Sequence, residues 1–154
     1  KGQASPTSEQ GFKTKAQPHG VAAQPFQPAA VAVSQKAGFV ARSFSGFKEH
    51  LADMIVQAIS QKGLSLVDIL QPCVSFNKQN TFAWYKKRCK ELEKGYDPTD
   101  WEAALKRSFE WGEQIPIGVL YKNDRPAFGE KVQTAAPAEG DRKERLRSLF
   151  ASYR

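Results

Sequence analysis

The segment "LQPCVSFN", residues 70–77, places Cys73 at the end of an apolar run, directly after Pro72 and before a polar turn. A thiol in that position can be a nucleophile, a metal ligand or a small packed side chain. A nucleophile needs a base within hydrogen-bond reach. The two histidines, His19 and His50, fall in a loop and early in a helix, and sequence puts neither beside Cys73. A zinc or iron–sulfur site takes about four ligands, so a ligand role for Cys73 requires partners from outside this chain. The other cysteine, Cys89 in "WYKKRCKELEK", shares one helical stripe with Phe82, Tyr85 and Leu92 and reads as a buried thiol. The chain contains no GxGxxG, Walker A, HExxH or GxSxG motif. The acidic pairs Glu91/Glu93 and Asp97/Asp100 read as exposed helix positions and caps, which leaves no side chain with an assigned catalytic role.

The elements that must hold these residues follow from hydrophobic period and punctuation. Residues 1–27, rich in Gly, Pro, Ser, Thr and Gln, read as an extended loop. Pro28 opens a short helix ended by Gly38, and Phe39–Ser43 is a buried strand. Phe47, Leu51, Met54, Ile55, Ala58 and Ile59 recur at helical spacing up to Gly63. "LSLVDIL" is a strand apolar enough for burial on both faces, stopped by Pro72, which has no N–H to donate. A third helix carries the Phe82–Leu92 stripe to Gly95. A fourth takes Asp97 as N-cap and Pro98 as its first residue, with Trp101, Ala104, Leu105, Ser108 and Phe109 inward. "IPIGVLY" is a third buried strand. A linker, "VQTAAPAEG", leads to a last helix capped by Asp141, with Leu146, Leu149, Phe150 and Tyr153 on one face, predicted to dock on a neighbouring subunit. Strands alternating with helices mean an α/β fold, with a mostly parallel sheet and helices on both faces. Sites in such sheets lie beyond the carboxyl ends of the strands, where Cys73 falls and Cys89 does not.

Composition bounds the rest. At 40% hydrophobic and 25% charged residues, 154 residues support one soluble domain. No apolar run reaches the ~18 residues of a membrane span, and nothing resembles a signal peptide. Two unlike cysteines make no disulfide framework, which points to a reducing, cytoplasmic setting. The net charge of +7 is spread along the chain without a basic stripe. It therefore favours solvated faces or an acidic protein partner over nucleic acid. The opening "KGQASPTSEQG" reads as the interior of a longer chain.

Six segments in order, "KGQASPTS", "FVARSFSG…HL", "DILQPCVSFN", "WYKKR", "YDPTDWEAA" and "IPIGVLYK", resemble the β subunit of 2-oxoacid:ferredoxin oxidoreductases, from Lys1 to about Phe128. The resemblance implies the C-terminal part of a thiamine diphosphate-binding fold. In the family the β subunit binds thiamine diphosphate with Mg²⁺ and one 4Fe–4S cluster, and the "LQPC" cysteine is the fourth cluster ligand. Cys73 is expected to be that ligand. Cys89 matches no cofactor motif. Lys1, Gly2 and Gln3 are expected to border the thiamine site, with Ser5, Pro6 and Thr7 shaping the loop over it. On this reading residues 1–27 are a cofactor-proximal loop, 28–130 the C-terminal part of the cofactor-binding domain, and 131–154 a linker and helix. The Mg²⁺ ligands and the other three cluster cysteines lie elsewhere, so this stretch alone is expected to be inactive.

The implied reaction converts a 2-oxoacid and coenzyme A to acyl-CoA and CO₂, with 2-oxoglutarate ahead of pyruvate. Its partners would be the α subunit and ferredoxin, with no nucleic acid and no membrane. Lys1 and Lys48 are candidates to steer an acidic ferredoxin. Phe47 stands where the family often has an acidic residue and is expected to pack on the following helix. The competing reading is a non-catalytic assembly module that docks a partner subunit.

Overall fold

The computed structural model describes residues 2–131 and 142–152. Lys1, the linker "VQTAAPAEG", the Asp141 cap and Tyr153 fall outside the described residues. The elements are α1 (Pro28–Ser34), β1 (Phe39–Phe44), α2 (Lys48–Ser60), β2 (Ser65–Leu70), α3 (Phe82–Arg88), β3 (Cys89–Glu91), α4 (Trp101–Phe109), β4 (Ile115–Lys122), α5 (Phe128–Lys131) and α6 (Arg142–Ala151). The four strands form one mixed sheet in the order β2-β1-β4-β3. β1 runs parallel to β2, and β3 parallel to β4, while β1 and β4 are antiparallel.

β1 is buried at every position, because it is an interior strand with helices on both sides. Successive side chains leave it on opposite faces. Val40 joins Ala29 and Val33 of α1, Ala104 of α4 and Leu120 in one cluster. Phe39 and Ala41 join Met54 of α2 in another. A third cluster, Phe44, Leu70, Cys89, Ile115 and Ile117, closes the sheet end where β1 and β2 finish. The β1–β4 register slips between Val40 and Ala41, where Leu120 is the extra residue on β4. Gly118, paired with Arg42, has φ +126°, and a Cβ there would lie 3.3 Å from Leu92 Cδ1, so that position favours glycine.

Several boundaries differ from the pattern reading. Helix α1 stops at Ser34, because Lys36 takes the left-handed conformation (φ 54°) and closes a Schellman cap. Lys36 N–H donates to Val33 O and Ala37 N–H to Ala32 O. Asp97 is not the cap of α4. Its Oδ1 accepts from the backbone and hydroxyl of Thr99, and the helix starts later, at Asp100, whose Oδ1 accepts from Glu102 N and Ala103 N. Helix α3 ends at Arg88, so Cys89 is buried on a strand rather than a helix. β2 is only half-buried because it forms the sheet edge among the described residues. On α2 only Met54 is buried, while Ile55 and Ile59 are exposed. Phe109 is exposed too, as are Leu146, Leu149 and Phe150 of α6. No helix among the described residues is long and apolar enough to cross a membrane.

One charged side chain sits inside this framework. Arg42 of β1 is 0% exposed. Its Nε donates to Asp68 Oδ2 on β2 at 2.9 Å, and one Nη donates to Ser108 O on α4 at 2.9 Å. Removing one partner of a buried ion pair leaves an uncompensated charge. Asp68→Ala should therefore destabilise the fold by about 3–5 kcal/mol. The apolar pair Arg42→Met with Asp68→Leu should cost far less. Denaturant unfolding of both variants checks this; equal losses would show that packing, not charge, governs the site.

Candidate functional site

Cys73 lies just past the end of β2, on a loop whose shape the sequence enforces locally. Pro72 is buried and ends the strand. Asn77 N–H donates to Cys73 O at 3.2 Å. Asn77 Oδ1 accepts from the N–H groups of Gln79 and Asn80, and Asn77 Nδ2 donates to Asn80 Oδ1. Lys78 Nζ donates to Val74 O at 2.7 Å. Thr81 then caps α3 by accepting from Trp84 N–H.

The two thiols are chemically opposite. Cys73 is exposed, and its pKa is lowered by the backbone N–H groups of Phe76, Ser75 and Asn77, with a smaller contribution from the Lys78 ammonium. These donors favour the thiolate, the form that binds metals. Burial pushes Cys89 up to about 11, with Arg42 and Lys90 opposing only in part.

The leading segment folds back on itself instead of running extended. Gly11 N–H donates to Val21 O, Val21 N–H to Phe12 O, and Phe26 N–H to Pro6 O. Thr14 and Gln17 exchange backbone hydrogen bonds. Ser5 and Thr7 hydroxyls bond each other at 2.9 Å. This brings Gly2 over the Phe76 ring of the Cys73 loop, in a conformation (φ +89°) that favours glycine. A cleft of about 260 Å³ opens between the two segments. Gly2, Gln3, Ser5 and Thr7 line one side, Cys73 and Asn77 the other. Tyr85 and Trp111 form its inner wall. Trp111 Nε1 donates to Glu9 Oε1 at 3.4 Å, tying the leading loop to the segment after α4.

The structure thus brings together Gly2, Gln3 and Cys73 of the residues expected from sequence. It adds Asn77, Tyr85 and Trp111, which pattern reading passes over because core aromatics and cleft aromatics share one spacing. No histidine lines this cleft. His50 Nδ1 instead bonds Ser43 Oγ at 2.8 Å, and His19 is exposed in the leading loop. Among the described residues no group of three or more His, Cys, Asp or Glu could hold a metal ion. Cys73 is the one thiol among the residues lining the cleft.

The family model for the C-terminal region of the pyruvate ferredoxin oxidoreductase β chain matches residues 73–136. A 2-oxoacid:ferredoxin oxidoreductase subunit beta from Sulfolobus sp is 39% identical, over 90% of this chain and 49% of the relative. The 2-oxoglutarate oxidoreductase subunit KorB of Mycobacterium tuberculosis is 38% identical, over 59% of this chain and 24% of its own. The chain spans about half the length of the Sulfolobus relative. Among solved structures, a 2-oxoglutarate:ferredoxin oxidoreductase from Magnetococcus marinus, with 2-oxoglutarate, coenzyme A and succinyl-CoA bound, superposes with a TM-score of 0.85. The two are 27% identical, over 97% of this chain and 53% of that one.

The contrast between the thiols gives a direct test. At pH 8 a thiol of pKa about 11 is roughly a thousandth thiolate. Iodoacetamide should alkylate Cys73 in the native chain and spare Cys89 until denaturant is added, as read by peptide mass spectrometry. Equal labelling of both would contradict the environments described.

Proposed function

We infer the function of this chain from one premise: it belongs to the 2-oxoacid:ferredoxin oxidoreductase β-subunit family. In the assembled enzyme it supplies Cys73 as one ligand of a 4Fe–4S cluster, and Gly2 and Gln3 to the rim of a thiamine diphosphate site. The observation that carries this is the shared cleft, in which an exposed, thiolate-favouring cysteine faces the Gly2–Thr7 segment. The overall reaction is oxidative decarboxylation of a 2-oxoacid with coenzyme A, giving acyl-CoA, CO₂ and two electrons for ferredoxin. We propose 2-oxoglutarate as the 2-oxoacid, in keeping with the names of two of the relatives.

The residues present fit one thiolate of a cluster. They fit no Mg²⁺ centre of their own, since Glu9 is the one carboxylate among the residues lining the cleft. When bound, thiamine diphosphate supplies an electron sink for decarboxylation, and the cluster an acceptor for the electrons released. This chain's own residues do the rest. The N–H groups of Ser75, Phe76 and Asn77 offset negative charge on Cys73 Sγ, which favours a reduced cluster. Gly2 lets backbone approach a ligand closely. Tyr85, its phenol pushed up to about 12 by burial, stays neutral and, with Trp111, keeps water from the inner wall. Lys1 is assigned to the same rim by resemblance alone.

Cys73→Ser in the assembled enzyme should lower iron content and the visible iron–sulfur absorbance, because one iron loses its thiolate. Cys89→Ala should keep full iron and cost roughly 1 kcal/mol of packing. A Cys73→Ser enzyme with a complete cluster and normal ferredoxin reduction would leave the chain only a docking role.

A further inference from the structure

Helix α3 follows the Cys73 loop directly and shows two distinct faces. Trp84, Tyr85 and Arg88 turn inward, Tyr85 stacked on Phe44 and Arg88 lying over the Trp84 ring. Phe82, Ala83, Lys86 and Lys87 are exposed, and they form one contiguous face because Lys86 and Lys87 stand at i+4 from Phe82 and Ala83. Lys78 before the helix and Lys90 after it are exposed as well. The nearby carboxylates are already paired or turned away. Glu93 pairs with Arg107 and Glu113 with Arg88. Glu91, on the opposite side of β3 from Lys90, lines a separate groove with His50 and Asp53. Among the described residues Lys78, Lys86, Lys87 and Lys90 form no salt bridge, and they flank exposed Val74, Phe76 and Phe82 along the chain, beside an exposed Cys73.

A small apolar centre within a charged rim is the anatomy of a transient protein–protein contact, in which complementary charge speeds encounter more than it tightens binding. Electron transfer weakens steeply with distance, so a protein carrier must dock beside the centre that reduces it. We propose that the exposed face of α3, with Lys78 and Lys90 at its ends, is the docking surface for a small acidic iron–sulfur electron carrier. The proposal rests on the reading of Cys73 as a cluster ligand and adds the surface at which electrons leave.

The test uses the assembled oxidoreductase with two acceptors, ferredoxin and methyl viologen, a small cation that needs no docking surface. Lys86→Glu with Lys87→Glu should lower kcat/KM for ferredoxin about tenfold at low ionic strength and flatten its salt dependence. The methyl viologen rate should hold. An unchanged kcat/KM for ferredoxin overturns the surface, as does an equal loss with both acceptors at full iron content. If the reversed charges deplete iron, the neutral pair Lys86→Gln with Lys87→Gln decides: a loss confined to ferredoxin supports docking, and no loss overturns it. An enzyme that reduces neither acceptor with any 2-oxoacid and coenzyme A overturns the proposed function itself, and the docking surface with it.

Discussion

The arrangement depends on a guanidinium that water does not reach. Desolvating a charge costs several kcal/mol, and Arg42 offsets this with Asp68 on β2 and the Ser108 carbonyl on α4. It also lies 5.9 Å from the Trp111 ring. Three elements from distant parts of the chain are thereby held to one side chain. Asp68 comes just before the strand end that launches Cys73, and Trp111 just after α4, so both flanks of the cleft are referenced to Arg42. Sliding β2 or α4 would strand the charge. One Nη of Arg42 has no hydrogen-bond partner among the described residues, so the charge is only partly compensated there.

Two cysteines in one small domain acquire different chemistry from backbone and burial alone. Around Cys73 the loop turns its amides toward sulfur, an arrangement fixed by Asn77 and Lys78 rather than by nearby ionised partners alone. Cys89 packs with Phe44, Leu70, Ile115 and Ile117, where desolvation disfavours the thiolate. Exposure and hydrogen-bond donation, not the residue type, separate the loop thiol from the core thiol.

The sheet and most helices are legible in the sequence because their hydrophobic periods are long and their stops are strong, as in β1, β4 and α2. What escapes pattern reading has local causes. Lys36 adopts a conformation usually left to glycine, and Asp97 spends its side chain on Thr99 and so cannot cap α4. The Phe82–Leu92 stripe continues the helical period past Arg88, but Cys89 pairs with Ile115 and pulls the chain into the sheet. Tertiary pairing overrides period there. Of the site, Cys73 is legible from its Pro-Cys strand end, and Gly2 and Gln3 are named by resemblance, but that they share a cleft with Cys73 comes only from the fold. The wall is not, because Tyr85 and Trp111 have the spacing of ordinary core residues.

Under the proposed function, 2-oxoacid oxidation and the Cys73-bound cluster belong to one electron path. Anaerobic mixing of the oxidised, assembled enzyme with 2-oxoglutarate and coenzyme A, without ferredoxin, tests it in a single turnover. Bleaching of the iron–sulfur absorbance and an electron paramagnetic resonance signal from the reduced cluster are expected, both dependent on the 2-oxoacid. A cluster that is present and reducible by dithionite, yet untouched by any 2-oxoacid with coenzyme A, would contradict it.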